Sequence, residues 1–368
     1  MHSRPTVAEI DLSALRHNLA TVGAHVGPGV RMLAPLKADA YGHGMVRIAQ
    51  ECLAAGVEQI GVATVDEGIA LRAAGISAPL VVFGPTLPEE AEQIVAHGLQ
   101  VSVSSGALAE ELNRAAAARN ATVDLHLKVD TGLGRFGIWH EEAVAFTEAL
   151  DQPHLRLIGV YTHFATADEA DKSYAHVQLQ AFRSVVNELR RRGRSFTAHA
   201  ANSSAVLDLP AARFDLVRPG LILFGGYPSA EVSRLPLRPV MTLKSRLALV
   251  RELPSGRHLS YGRTFTTTRR SRIATVPIGY ADGYRRAASN RGVALVHRQP
   301  CPVVGRVCMD QLLLDVTELP TPAQVGDEVV LWGATSLTVE AVARTMDTVP
   351  FEILCGLSRR VPRVYVEP

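Results

Sequence analysis

An alternation of two kinds of segment limits what this chain can fold into more than any other feature. Short apolar, β-prone runs recur at residues 30–37 (VRMLAPLK), 60–64 (IGVAT), 80–84 (LVVFG), 99–103 (LQVSV), 123–129 (VDLHLKV), 157–164 (LIGVYTHF), 196–201 (FTAHAA) and 214–218 (FDLVR). Between most of them lie alanine-rich helical stretches, at 45–55, 66–74, 88–96, 107–118, 140–150 and 173–192. Strands separated by helices form parallel sheet, and eight such units fit a closed (β/α)8 barrel better than an open doubly wound sheet. After Gly225 and Gly226 the rhythm stops. The stretch "GYPSAEVSRLPLRP" reads as a linker, and beyond it come β-rich runs at 240–251, 272–278, 293–296, 302–307, 312–316 and 328–332, with one helix near 338–346. The expected fold is therefore α/β, with an N-terminal (β/α)8 barrel over 1–228 followed by a mainly β C-terminal domain over 229–368.

Bulk properties remove several function classes. A length of 368 residues exceeds the usual single domain, and 47% hydrophobic with 20% charged residues is an ordinary globular balance. A net charge of +2 offers no electrostatic case for nucleic acid or an anionic membrane. The opening "MHSRPTVAEIDLSAL" has no apolar export core, and no run approaches the roughly 18–20 apolar residues of a membrane span, so the expected location is the cytoplasm. Cys52, Cys301, Cys308 and Cys355 lie far apart without a CxxC pair, and read as reduced thiols rather than a metal site or a disulfide framework.

Chemistry in such a barrel sits at the C-terminal ends of the strands. The polar residues at those ends are Lys37, Lys128 with Asp130, His163, His199 with Asn202 and Ser203, and Arg218 with Gly220. Lys37 ends an apolar run in "MLAPLKADAYGHG". A buried ammonium loses hydration, so such a lysine either snorkels to solvent or adds to an aldehyde as a Schiff base. "GLGRFG" puts Gly132, Gly134 and Gly137 in the spacing of a dinucleotide fingerprint, but no helix opens at the second glycine as that fingerprint requires.

The segments "APLKADAYGHG", "LKVDTGLGRFG", "GVYTHFATAD", "HAANSSA", "LVRPGLILFG", "LSYG", "IGYADGYRR", "GRVCMDQ" and "SRRVPRVY" span nearly the whole chain, and in this order they resemble the alanine racemases. The resemblance implies a pyridoxal-phosphate enzyme that interconverts L-alanine and D-alanine, supplies D-alanine for peptidoglycan, and works as a homodimer with shared active sites. It implies that Lys37 carries the cofactor and that Arg218 hydrogen-bonds the pyridine nitrogen. It assigns Tyr41, Asn202, Ser203, Gly220 and Leu221 to the phosphate cradle, and His163 and His199 to the ring face and the arginine. Tyr261 matches the second catalytic base, reaching the barrel of the other subunit. Arg135, Met309, Tyr280 and Asp310 match substrate-side positions, and Lys128 matches a lysine that is often carbamylated. Phe351 departs from the pattern, because the family usually has there a tyrosine whose hydroxyl contacts the cofactor phosphate.

Arginine at the ring nitrogen suits racemisation. It keeps that nitrogen deprotonated and the electron sink weak, so the proton returns to Cα before side reactions intervene. Two other readings share the barrel. A decarboxylase of the same fold type would carry an acidic residue in place of Arg218, and a non-catalytic cofactor-binding barrel would lack residues 240–368 and Tyr261. A racemase of broader specificity, acting on serine or other amino acids, is a further alternative, against which the missing export signal counts.

Overall fold

The computed structural model describes residues 4–367. All eight expected parallel strands form, as β2 (Arg31–Pro35), β3 (Gln59–Val62), β4 (Leu80–Val82), β5 (Gln100–Val103), β6 (Val123–Asp130), β8 (Leu155–Tyr161), β9 (Thr197–His199) and β10 (Leu216–Val217). A two-residue strand, β7 (Ile138–Trp139), pairs with the end of β6. The ladder runs β10-β2-β3-β4-β5-β6-β8-β9. The ring closes where Asp215 N–H donates to Ala198 O (3.1 Å) and Arg218 N–H to Ala201 O (2.8 Å). Strand residues are almost fully buried, because helices cover the outside and side chains fill the inside.

The second domain holds a six-stranded sheet ordered β17 (Gln299–Pro302), β16 (Val293–Val296), β19 (Glu328–Trp332), β11 (Met241–Arg246), β1 (Val7–Asp11) and β20 (Arg363–Val366). Beside it lie a three-stranded sheet, β12 (Leu249–Leu253), β15 (Ser271–Val276) and β18 (Leu312–Asp315), and the small pair β13 (His258–Leu259) and β14 (Phe265–Thr266).

Several expectations need correction. The run 240–251 is two strands: Leu247 N–H turns to Asp327 O and Ala248 N–H to Thr275 O, carrying the chain from one sheet to the other. The strand expected at 302–307 lies earlier, at Gln299–Pro302. The stretches 88–96 and 140–150 each divide into a 3-10 segment and a short α-helix. Strand β1 was not expected at all. It pairs antiparallel with β11 and parallel with β20, so the N-terminal strand belongs to the second sheet. The helix Leu12–Val26 follows at once, its start capped by the Asp11 carboxylate accepting from Ala14 N–H (2.8 Å). Buried Asn18 on that helix donates to Leu223 O and Arg238 O and accepts from Arg238 N–H, which pins the linker between the domains.

Candidate active site

At the C-terminal mouth of the barrel is a cavity of about 430 Å³ lined by Lys37, Tyr41, Lys128, Arg135, His163, Asn202, Ser203, Arg218, Gly220 and Phe351 among others. It brings together residues from seven of the eight barrel strand ends. Four of its lining side chains are cationic, and among the described residues no aspartate or glutamate lines it.

Lys37 and Tyr41 are displayed by an unusual piece of backbone. Ala38, Asp39, Ala40 and Tyr41 have φ between +52 and +56, a single left-handed turn of L-residues. Each such residue costs about 1–2 kcal/mol, so the turn needs external support. Glu67 supplies part of it, accepting from Ala38 N–H (2.7 Å) and from Ala63 N–H at the end of β3 (2.7 Å). Asp39 accepts from Met45 N–H (2.8 Å) at the start of the next helix. Gly42 must be glycine, since a Cβ there would lie 2.3 Å from Leu354 O. Tyr41 is buried between Phe224 and Phe351, with ring centroids 5.4 and 6.0 Å away. Burial, with Cys355 nearby, raises its phenol pKa, so it serves as a hydrogen-bond donor.

Tyr41 Oη converges with Gly220 and Ser203. Gly220 N–H donates to Ser203 Oγ (2.9 Å), and a Cβ on Gly220 would come within 2.6 Å of Tyr41 Oη. Ser203 opens a short helix whose N-cap, Asn202, accepts from Ala205 N–H (3.0 Å). Leu221 is buried beside this group without lining the cavity.

Arg218 is fixed by neutral acceptors alone. It donates to Thr162 O (2.8 Å), Ala200 O (3.2 Å), His199 Nδ1 (3.0 Å) and His163 Nδ1 (3.5 Å). It does not pair with Asp215, which binds Arg190 instead. Desolvation lowers its pKa to about 10, leaving it a cation at neutral pH. His199 stands behind the cavity wall and acts on it through Arg218; burial and the arginine's charge hold it neutral.

Lys37 is pushed below the ordinary lysine range by desolvation, then by Arg135. Lys128 is depressed further, to about 7, by desolvation and then by Arg218. Its amine lies over the Tyr161 ring (5.2 Å), and the opposition of Arg218 to the same ring is also 5.2 Å. Arg135 is positioned by the "GLGRFG" loop. Asp130 there accepts from the N–H groups of Gly132, Leu133, Gly134 and Arg135 at 2.9–3.2 Å. Four of the loop's N–H groups are thus taken by a carboxylate of the chain itself, where a dinucleotide site would offer them to a phosphate.

The remaining expected residues lie elsewhere. Tyr261, Tyr280, Met309 and Asp310 are on the second domain, outside this cavity. Tyr261 is 71% exposed and Met309 52%, and Asp310 pairs with Arg360 (2.7 Å). Sequence reasoning passed over Phe83, Tyr161 and Phe136 in the cavity wall and Glu67 beneath it. Tyr161 alone carried a signal, being a polar-tipped residue at a barrel strand end in "GVYTHF".

Comparison with known proteins agrees with this geometry. Residues 10–228 match the family model "Alanine racemase, N-terminal domain", and residues 240–365 match "Alanine racemase, C-terminal domain". The alanine racemase of Halothermothrix orenii is 43% identical over 369 residues, covering 99% of this chain and 97% of that protein. The solved alanine racemase of Clostridium difficile 630 superposes with a TM-score of 0.95 at 38% identity, covering 100% of this chain and 97% of that one. Its complex with cycloserine gives 0.93 at 37% identity, with the same coverage.

Proposed function

The chain belongs to the alanine racemase family, and from that premise we propose that it interconverts L- and D-alanine, supplying D-alanine for peptidoglycan, with pyridoxal phosphate held at the barrel mouth. One observation carries the proposal: a cavity with Lys37, Lys128, Arg135 and Arg218 on its walls and, among the described residues, no carboxylate. Four cationic side chains around one cavity, Lys128 and Arg218 of them buried, call for an anionic occupant. A cofactor bearing a phosphate and a phenolic oxygen fits that need. Tyr41, Ser203 and the backbone at Gly220 would hold its phosphate, Arg218 its ring nitrogen, and Lys37 its aldehyde carbon.

When bound, pyridoxal phosphate withdraws electrons from the amino acid and makes the hydrogen on Cα acidic enough for a side-chain base. Lys37 serves one face of Cα. Its depressed amine pKa raises the fraction present as a free base at neutral pH. The opposite face needs a second base, and we assign it to Tyr261 of the partner subunit. Within one chain Tyr261 is 71% exposed and outside the cavity, as expected for a residue that acts across a dimer interface with Tyr280, Met309 and Asp310. Arg135 binds the substrate carboxylate. Lys128, with a pKa near 7, has a substantial neutral fraction, the form that takes up carbon dioxide; its carbamate would set a negative charge between Arg135 and Arg218. Apart from β1, which joins the second sheet, the chain passes from barrel to second domain near 228/229, in keeping with a connection over residues 227–240 that holds neither helix nor strand. The location remains the cytoplasm in this proposal.

Shared sites give a quantitative test. Lys37→Ala and Tyr261→Phe each disable every site in their own homodimers. Mixed at equal amounts under subunit exchange, half the dimers become hybrids with one site holding both bases, so about a quarter of the wild-type activity should return. Hybrids proven by mass spectrometry that show no recovery would refute the shared site. Failure of wild-type protein to form D-alanine from L-alanine would refute the activity.

A further inference from the structure

His199, which receives the hydrogen bond of Arg218, is one link in a line of polar groups crossing the barrel interior. His199 Nε2 lies 3.0 Å from His126 Nδ1, and His126 Nε2 lies 3.1 Å from Gln100 Oε1. Gln100 begins β5 at the end of the barrel opposite the cavity; His126 is midway along β6. The line therefore runs from the closed end of the barrel to its mouth.

Its proton positions follow from its two ends. Arginine can only donate, so His199 Nδ1 accepts and its proton sits on Nε2. That N–H makes His126 Nδ1 an acceptor, with its own proton on Nε2, and the Gln100 carbonyl oxygen receives it. Every bond points the same way, and each imidazole is neutral with one hydrogen. Protonating either ring would set an N–H against an N–H.

The fold is built around this line. Gly159 on β8 is the register partner of His126, and a Cβ there would come within 2.0 Å of His126 Nδ1. The β6–β8 ladder shifts register between Leu125 and His126. The charged groups bearing on the two rings are Arg218, Lys128 and Arg31, all opposing protonation, and Asp124, which favours it at His126. Burial outweighs Asp124 and lowers His126 to about 4.

We infer that Gln100 is a positioning residue for Arg218: the obligate donation of Arg218 sets the tautomers from the mouth, and Gln100, by accepting from His126 at the far end of the barrel, anchors the line so that the bare Nδ1 of His199 is held facing the guanidinium. The inference deepens the proposed function, since it is the cofactor-facing arginine that is being aimed. A neutral amide is the suitable terminus. A carboxylate in its place would favour a doubly protonated His126, which reverses His199 and turns an N–H toward Arg218.

Three variants of the holoenzyme, Gln100→Glu, Gln100→Leu and Gly159→Ala, test this with histidine-selective 15N solid-state NMR and pH profiles of kcat. In the wild type, both Nδ1 atoms should resonate as unprotonated. Gln100→Leu should leave His126 Nε2–H without its acceptor, shift that resonance, and lower kcat about ten-fold, the equivalent of one lost hydrogen bond in the line that holds Arg218. Gln100→Glu should keep most activity at alkaline pH and add a new acid limb between about pH 6 and 8 as His126 takes up a second proton. Gly159→Ala should push His126 off His199 with Gln100 intact, shifting the His126 Nδ1 resonance and lowering kcat likewise, or fail to fold; in the latter case the two Gln100 variants decide. Wild-type kcat with an unmoved His126 Nε2–H resonance in Gln100→Leu, or a Gln100→Glu profile that overlays the wild type, would overturn the inference. The NMR readout does not depend on turnover. An enzyme inactive on alanine with the stated tautomers would count against the proposed function alone.

Discussion

Gly220→Ala isolates the phosphate cradle from the rest of the site. The new Cβ would stand 2.6 Å from Tyr41 Oη and 3.2 Å from Tyr41 Cζ, where ordinary contact begins at 3.4 Å. Tyr41 has little room to retreat, being buried, wedged between Phe224 and Phe351, and fixed at φ +52. If the hydroxyl swings aside by the needed ~0.8 Å, a hydrogen bond of about 2.7 Å to a phosphate oxygen stretches to about 3.5 Å and is lost. A bond to a charged group is worth about 1.5–3 kcal/mol, so the dissociation constant for pyridoxal phosphate should rise about 10- to 150-fold. Titration of the apo-enzyme with the cofactor, followed by absorbance and fluorescence, measures this directly. A cycle with Tyr41→Phe supplies the control. Without Oη the collision nearly disappears, so adding Gly220→Ala to that background should cost less than about three-fold. Wild-type affinity in Gly220→Ala, or effects of the two substitutions that multiply in the double variant, would refute the cradle.

Phe351→Tyr should tighten cofactor binding by about ten-fold in the same titration, with little change in the ratio of alanine to serine turnover, because a hydroxyl is added on an unchanged aromatic volume. Ala38→Gly should raise apo-enzyme stability in urea by about 0.5–1 kcal/mol, since the exposed Ala38 holds φ +53 at a cost glycine does not bear; a loss of stability would mean the turn is unstrained. His43, His126, His163 and His199 are all held neutral, chiefly by burial, with His43 and His126 lowered to about 4. Their contribution to stability is complete above the unfolded value near 6.5 and is lost as pH falls toward the folded values, at about 1.4 kcal/mol per pH unit for each histidine. Denaturant midpoints should accordingly drop steeply between pH 6.5 and about 4.5, and a flat profile would show that these imidazoles accept protons in the native state.

The family segments that carry chemistry were legible because most of each site element is local. Lys37, Arg218 and Ser203 lie at or beside the ends of short apolar runs whose period announces buried parallel strands, and the barrel rule then sets those ends on one rim. Knowledge of the family, rather than composition or spacing, supplied the individual roles. Local sequence excludes a dinucleotide fingerprint at the "GLGRFG" loop, whereas its use, four N–H groups around Asp130, is visible only in the folded chain.

What the chain could determine by itself was each segment's preference for strand, helix or turn, which depends on neighbours a few residues away. Tertiary structure alone decided the pairings between segments remote in sequence. Strand β1 is five residues long with partners near residues 241 and 363, so nothing beside it in the sequence marks its sheet. The run 240–251 is uniformly β-prone, and only the positions of Asp327 and Thr275 make it break and change sheets. Gln100, His126 and His199 occupy three separate strands, and their alignment follows from barrel closure, the register of β5, β6 and β8, and the missing side chain at Gly159. Hydrophobic periodicity records which face of a segment is buried, and that is a local property. The polar atom each buried side chain will meet is a property of the closed barrel, because the partners come within hydrogen-bonding distance only after every strand has taken its register.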